Sequence, residues 1–294
     1  MKSTNKFNLP SVFERFEERH QHTTGGAKYS VTKLIDSPQI AHLRRKHWDR
    51  LSEDISDRAW AILGTAVHAI LEQGAEDNQV VEQRFQALID GIKVSGQVDL
   101  LTPNDMGMLL SDYKTVRAFS LQANPSGKPE WIRQLNCYAV LAELNDIKVT
   151  GIEVIAIVRD WSAASLERSN NYPKAPIIRI PLELWRHDLA LDYLKDRVKI
   201  HESDSPVECT EEEMWARPPV FAVHEKTMNG SLKKRAKKLF NSRTEAELYS
   251  MDIIGSDVKE RPQVYVRCDG NYCNVAEFCD TFYRRTHGSG IKVG

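Results

Sequence analysis

Two strand-like segments joined by a short turn constrain the fold of this chain more than any other feature. The segments GIKVSGQVDLLT and MGMLLSDYKTV are rich in apolar and β-branched residues, and the turn-forming residues TPND at 102–105 separate them. This pattern predicts an antiparallel β-hairpin. A third strand candidate, VVEQRFQALI, precedes the hairpin. The three segments together predict the centre of a β-sheet.

Helical periodicity surrounds these strands. We predict one helix beginning at Tyr29 with Ser30 or Thr32 as its cap, a second over roughly 56–75, and a third from Glu130 to about Leu144. Strand character resumes in GIEVIAIVRD and APIIRIP, and a long amphipathic helix is predicted for LELWRHDLALDYLKDRVKIH. Helices before, between and after a short run of strands indicate an α/β domain with a central mixed β-sheet.

The 294 residues divide into three segments by composition. Residues 1–28 are polar and are expected to be an irregular N-terminal tail, residues 29–205 form the α/β core, and residues 206–294 form an appended C-terminal lobe. The lobe carries charge blocks and four of the five Cys. No apolar run reaches eighteen residues, no secretory signal is visible, and the Cys spacing is unlike a disulfide framework. These features predict a cytoplasmic protein.

The acidic residues of the hairpin are the first chemical signal. Asp99 and Asp112 would lie almost opposite each other, about 5 Å apart, where two carboxylates repel unless a cation lies between them. Asp112 and Lys114 are two residues apart and therefore project from one face of the sheet. Two acids and one amine suit a divalent ion that activates water beside a phosphate, with Lys114 orienting or deprotonating that water.

Acid-x-Lys triplets are common, and about three are expected by chance in a chain with 41 acidic residues. The motifs before and after the Asp112-x-Lys114 triplet make it more specific than a chance occurrence. Upstream, GTAVH places His68 on a helix that can deliver an imidazole to the same metal, and GQVD places Asp99 on the preceding strand. Downstream, QLNCY places Gln134 and Tyr138 four residues apart, on one face of a helix.

The ordered series G-x-x-x-H, G-x-x-D, D-x-K and Q-x-x-x-Y resembles the motifs of RecB-like nucleases in the PD-(D/E)XK superfamily, which includes CRISPR-associated and phage exonucleases. The resemblance covers about residues 29–145. It implies a restriction-endonuclease-like core and Mg²⁺- or Mn²⁺-dependent cleavage. The implied metal ligands are His68, Asp99, Asp112 and the Tyr113 carbonyl.

The same resemblance assigns supporting roles. Lys114 would assist the attacking water, while Gln134 and Tyr138 would position DNA or brace the site. Some relatives carry a supporting acid on the first strand, where this chain has Glu82. Taken singly, each residue has a plainer interpretation, such as a core histidine for His68 or a solvated edge lysine for Lys114.

The cysteines depart from the family pattern. Many relatives hold a [4Fe–4S] cluster with an early Cys-Pro pair, where this chain has Ser37-Pro38. The late C-x₂-C-x₅-C pattern is matched only in part, by the candidate cluster or zinc ligands Cys209, Cys268, Cys273 and Cys279. Plain thiols are therefore favoured over a cluster, with structural zinc as a further alternative. Cys137, between Gln134 and Tyr138, is expected to be buried.

The predicted partner is DNA. The basic segment SLKKRAKKLF would contact phosphates, although a solvated helix face is the competing interpretation of its residues Lys233, Lys234, Arg235, Lys237 and Lys238. The sequence leaves two alternative roles, base stacking and core packing, for Trp131, Trp161 and Trp215.

The sequence therefore predicts a metal-dependent deoxyribonuclease, an exonuclease on ends or single strands. By the resemblance it would serve DNA recombination, repair or phage DNA processing in a bacterial or phage-infected cell, with a recombination or CRISPR-type protein partner. The rival hypothesis is a DNA-binding or assembly module whose nuclease fold survives while cleavage is dispensable. RNA as substrate is a third alternative.

Overall fold

The computed structural model describes residues 1–19, 23–205 and 207–287. The chain divides into two compact units, Met1–Val207 and Glu208–Gly294. This division falls two residues after the boundary expected from composition.

The first unit holds eight α-helices, two short 3-10 helices and eight strands among the residues described. Its helices are α1 (Ser11–Arg19), α2 (Val31–Leu34), α3 (Pro38–Lys46), α4 (Ala59–Glu72), α5 (Ala118–Ala123), α6 (Pro129–Glu143), α7 (Ala163–Arg168) and α8 (His187–Glu202). Its strands are β1 (Lys2–Thr4), β2 (Tyr29–Ser30), β3 (Ser52–Asp54), β4 (Val80–Ile89), β5 (Ile92–Asn104), β6 (Gly107–Val116), β7 (Val149–Val158) and β8 (Ile177–Leu182).

Six of these strands form one mixed sheet in the order β2-β5-β6-β7-β8, with β4 also paired to β5. The β4–β5, β5–β6 and β7–β8 pairs are antiparallel, whereas β2–β5 and β6–β7 are parallel. The predicted hairpin is the β5–β6 pair, in which Asn104 pairs with Gly107 across the turn. The predicted class, an α/β unit with a central mixed sheet flanked by helices, is confirmed.

Helix α6 forms the centre of the hydrophobic core. It packs against β5 and β7 on the sheet and against α8. Its residues Leu135 and Leu141 are fully buried, as is Leu194 of α8. Because the helix that carries Gln134 and Tyr138 is held by the core on several sides, these two side chains have little freedom to move.

The N-terminal segment differs from the expected irregular tail. Strand β1 pairs in parallel with β3, and α1 follows it. Asp54 fixes this arrangement by accepting hydrogen bonds from Thr4 Oγ1 and the Lys6 amide, both at 2.8 Å. These bonds, together with those from Ser56, hold the pKa of the Asp54 carboxyl well below its usual range. The pairing joins residues about fifty positions apart, which local sequence patterns do not reveal.

The helix predicted from Tyr29 is also divided. Ser30 caps the short α2, as proposed, by accepting a hydrogen bond from the Lys33 amide. A new helix, α3, then begins at Pro38, with Ser37 as its cap. Proline at the first helical position starts a helix readily but interrupts one that is already running, which explains the division.

The second unit is smaller. Its strands are β9 (Ala216–Arg217), β10 (Val220–Glu225), β11 (Lys238–Phe240), β12 (Ser256–Arg261) and β13 (Val264–Tyr265), and its helices are α9 (Arg243–Met251), α10 (Val266–Asp269) and α11 (Asp280–His287). Strand β10 lies between β11 and β12 in an antiparallel sheet. Across both units, the described helices include none with the length and apolar character needed to cross a membrane.

Candidate metal centre

Three carboxylates stand in one row across neighbouring strands. The β4–β5 ladder skips one position on each strand, and the skipped residues are Glu82 and Asp99. Asp99 and Asp112 are the next residues beyond the last pair of the β5–β6 ladder, Leu100 with Ser111. Glu82 has a φ of 50°, which is uncommon for a residue other than glycine, and the β4–β5 ladder is interrupted there. Strained backbone of this kind is often found at functional sites. The row is therefore a candidate site for a cation.

His68 reaches this row from α4. Its Nδ1 lies 3.4 Å from Asp99 Oδ1 and 3.6 Å from Glu82 Oε1. Ligand atoms of the three residues all lie within 4.8 Å of one another. Hydrogen bonding to Asp99 outweighs burial and raises the pKa of His68 to about 9.

Tyr113 contributes backbone atoms on both sides of this group. Its amide donates a 2.7 Å hydrogen bond to Asp99 Oδ2, which orients that carboxylate. Its carbonyl oxygen lies 3.3 Å from His68 Nε2. The carbonyl that the resemblance assigns as a ligand therefore faces the same imidazole as the acids do.

Asp112 and Lys114 form a close ion pair beside the group, with Lys114 Nζ 2.6 Å from Asp112 Oδ2. Burial raises the pKa of Asp112, although Lys114 acts in the opposite direction. Burial also disfavours the charge of Lys114, but Asp112 outweighs it and raises the pKa of Lys114. Lys114 is therefore an ammonium here, suited to orienting a water or phosphate oxygen rather than to removing a proton.

The donor set fits a hard divalent cation. Mg²⁺ and Mn²⁺ prefer carboxylate, carbonyl and water oxygens, and imidazole is an acceptable ligand for Mn²⁺. The structure groups Glu82, expected only as a supporting acid, with His68 and Asp99. Asp112 stands next in the row and has Lys114 as its close partner. The residues present thus offer three side chains to a metal, with Asp112 next in the row and the Tyr113 carbonyl at the other nitrogen of the imidazole.

Two further residues hold Glu82 in place, and sequence reasoning missed them. Gln97 donates a hydrogen bond from Nε2 to Glu82 Oε2. Arg84 in turn donates one to Gln97 Oε1. The available signal was the position of Gln97 in GQVD, two residues before Asp99 and hence on the same strand face. Such partners orient metal ligands.

Gln134 and Tyr138 lie in the core on α6. Both are buried, and Gln134 Nε2 donates a 2.8 Å hydrogen bond to Tyr138 Oη. Burial, followed by the charge of Asp112, raises the pKa of the Tyr138 hydroxyl. A Cβ at Gly96 would lie 2.6 Å from the Tyr138 ring, so only glycine allows this approach. The two roles that the resemblance implies for these residues, bracing the site and positioning DNA, both stay predictions.

The basic segment lies in the second unit and is not helical where the solvated-face interpretation supposed a helix. Lys233 and Lys237 both pair with Glu225, and the Lys238 ammonium lies 4.9 Å from the Phe240 ring centroid. All five basic residues are exposed, so pairing rather than burial distinguishes Lys233 and Lys237 from Lys234 and Arg235. The charge available to a polyanion is therefore smaller than the sequence suggests.

None of the five cysteines forms a disulfide bond. Cys137 is fully buried in α6, as expected, while Cys209, Cys268, Cys273 and Cys279 are partly exposed in the second unit. Burial raises the pKa of both Cys268 and Cys273. Ser37, which replaces the early family cysteine, caps α3 through a 3.3 Å hydrogen bond from the Ile40 amide.

The three tryptophans considered for base stacking have different surroundings. Trp131 is buried in the core. Trp161 packs against the core and donates a hydrogen bond to the Pro173 carbonyl. Trp215, in the second unit, is 44% exposed and contacts the Tyr272 ring. Core packing therefore accounts for the first two.

No protein-family model matches the chain, and neither does any curated protein. Among solved structures, the chain is similar to SSO0001, which is known from a crystal structure. The two are 17% identical, the match covers 66% of this chain and 86% of that one, and the TM-score is 0.45.

Proposed function

We propose that this chain is a nuclease that hydrolyses DNA phosphodiester bonds with Mg²⁺ or Mn²⁺, on the PD-(D/E)XK core that its motifs resemble. The observation that supports this most is the convergence of His68 with Glu82 and Asp99, beside the Asp112–Lys114 pair. Asp99 and Asp112 are buried, and buried carboxylates are costly without a compensating cation, while Glu82 beside them is partly exposed. The D-x-K motif adds Lys114, two residues after Asp112.

The proposed role of each residue in catalysis follows from its position. Glu82, Asp99, His68 and the Tyr113 carbonyl would hold the ion, which when bound would activate water and neutralise charge on the phosphate. The Lys114 ammonium would orient the water or a phosphate oxygen, and Asp112 would hold Lys114 in place through their ion pair. Gln97 keeps the Glu82 carboxylate directed toward the group.

The substrate proposed is a DNA end or single strand, cleaved exonucleolytically. A use in recombination, repair or phage DNA processing, with a recombination or CRISPR-type protein partner, belongs to the same proposal and follows from the motif resemblance alone.

A cleavage assay tests this function. End-labelled single- and double-stranded DNA is incubated with the purified full chain in Mg²⁺, Mn²⁺ or EDTA. We expect cleavage with either metal, none in EDTA, and loss of at least a thousandfold in Asp112→Ala, because the substitution releases Lys114 from its partner. The matched control is Asp105→Ala, which removes an exposed carboxylate from the turn of the same hairpin and should cleave like the wild type.

The outcomes separate the hypotheses. DNA binding without cleavage by the folded wild type, in both metals, would favour the DNA-binding or assembly module. Cleavage by Asp112→Ala at the wild-type rate would remove this residue from the site.

A further inference from the structure

An exposed tryptophan and an arginine stack on each other near the candidate metal centre. The guanidinium carbon of Arg159 lies 3.6 Å from the centre of the Trp60 ring, and Trp60 is 57% exposed. The Arg159 guanidinium covers only one face of the Trp60 ring. The exposure leaves room for a second planar group on the ring.

The pair stands at the end of the strand that carries Asp112 and Lys114. The Arg159 amide donates a 3.0 Å hydrogen bond to the Val116 carbonyl, and Val116 is the last residue of β6, two residues after Lys114. Trp60 lies on α4, the helix that delivers His68. Both members of the pair are thus anchored on elements that build the centre.

Two more residues extend this surface. Arg117 and Phe119 directly follow the end of β6, and both are exposed, Phe119 by 67%. We call Trp60, Arg117, Phe119 and Arg159 the stacking patch. It combines two aromatic rings with two cations, next to an acidic centre.

Helix α4 shows that Trp60 is not a core residue. The helix is strongly apolar, yet none of its residues is buried. Its other exposed large side chains, Leu63 and Ile70, lie on the side opposite His68 by the rotation of about 100° per residue. Leu63 and Ile70 therefore lie away from the centre. Trp60 lies between their face of the helix and the face of His68, and it contacts Arg159, the residue that follows β7.

We propose that the stacking patch binds the unpaired nucleotides of single-stranded DNA, with a base on the open face of Trp60 and phosphates near Arg117 and Arg159. This rests on the proposed function and specifies its substrate as a single strand or a single-stranded end. Bases in a duplex already stack on each other, so they are not available to an exposed ring. Aromatic stacking with adjacent cations is the usual chemistry of single-strand binding.

Binding in EDTA tests the patch without requiring cleavage. The anisotropy of a fluorescein-labelled oligothymidylate is measured with wild type and with Trp60→Ala, after thermal unfolding shows that each is folded. Loss of one stacked base weakens binding by about tenfold or more. Trp60→Phe should retain most of the affinity, and a blunt duplex should bind both proteins equally.

The chain offers a matched control. Trp48 is 52% exposed and lines a different cavity of about 1120 Å³ that also holds Arg44 and Arg45. Trp48→Ala should leave single-strand binding unchanged. An equal loss in Trp48→Ala, or no loss in Trp60→Ala, would overturn the assignment. So would an equal loss of duplex binding, or a change of oligomeric state in Trp60→Ala with DNA affinity intact.

The design separates this inference from the proposed function. A wild type that cleaves nothing but binds single strands through Trp60 would refute the nuclease and keep the patch. A nuclease whose single-strand affinity is indifferent to Trp60 would refute the patch and keep the nuclease.

Discussion

The ammonium nitrogen of Lys114 lies 2.6 Å from a carboxylate oxygen of Asp112, two residues earlier on β6. The Asp112 carboxylate is almost wholly buried, and Lys114 is its close cationic partner. A buried charge depends strongly on its partner, because removal of one member leaves the other without compensation. The pair therefore links the stability of the unit to the geometry of the candidate site.

Replacing Lys114 alone should destabilise the protein. In Lys114→Met the buried carboxylate of Asp112 loses its partner, and we expect the free energy of unfolding to fall by about 3 kcal/mol at pH 8 in urea denaturation. The double variant Asp112→Asn/Lys114→Met removes both charges and should recover most of that loss. A double variant as unstable as Lys114→Met would show that the ion pair is not the cause.

Replacing two motif glycines with alanine should change the free energy of unfolding in opposite directions. At Gly96 the added Cβ would lie 2.6 Å from the Tyr138 ring, so Gly96→Ala should destabilise by about 1–3 kcal/mol through overpacking. At Gly64, within α4, the described structure beyond the helix's own backbone and adjacent residues leaves a Cβ open space. Gly64→Ala should stabilise by about 1 kcal/mol through helix propensity. Thermal unfolding of both variants measures this, and equal shifts in one direction would contradict it.

The contribution of His201 to the free energy of unfolding should fall in mild acid. Its Nε2 donates to the carbonyl oxygens of Leu34 and Asp36, and its Nδ1 is buried with no hydrogen-bond partner among the described residues. Burial, and then Arg197, lowers the pKa of His201. The stability from a lowered histidine pKa is present above the unfolded value of about 6.5 and is lost as the pH falls toward the folded value.

Urea unfolding at pH 5, 6 and 7 measures this effect. The contribution of one proton is at most about 1.4 kcal/mol per pH unit. His201→Gln keeps an amide donor but cannot titrate, so its stability should depend less on pH over this range. The same dependence in both proteins would assign the acid sensitivity to other groups.

Lys234 and Arg235 should contribute more to DNA binding than the two lysines that pair with Glu225. Neutralising Lys234 and Arg235 should reduce the salt slope of single-strand binding by about 1.4, which corresponds to two phosphate contacts. Neutralising Lys233 and Lys237 instead should change it less, because Glu225 already engages both. Equal slopes for the wild type and Lys234→Gln/Arg235→Gln would favour a merely solvated surface.

Sequence patterns predicted the frame of the site well. Strong β periodicity and the turn at 102–105 placed β5 and β6, and their register follows from the hairpin, so Asp99 and Asp112 are the next residues beyond the last pair of the ladder. Two-residue alternation likewise placed Lys114 beside Asp112. These relationships are local, so residues close together in the sequence are enough to predict them.

Long-range relationships were not predictable in this way. The grouping of Glu82 with Asp99 depends on an interrupted ladder and a φ of 50°, which the segment VVEQRF does not signal. The stacking of Trp60 on Arg159 joins a helix to a strand end far along the chain. The pairing of β1 with β3 is equally distant. Tertiary packing decides each of these.

A titration of Mn²⁺ into the purified full chain, followed by calorimetry, tests the central claim most directly, because the claim is that His68, Glu82 and Asp99 form one metal site. We expect the wild type to bind Mn²⁺, and Asp99→Asn to bind it at least tenfold more weakly, since a ligand carboxylate is lost. Asp105→Asn, in the exposed turn of the same hairpin, should bind like the wild type. Unchanged Mn²⁺ affinity in a folded Asp99→Asn protein would contradict the account.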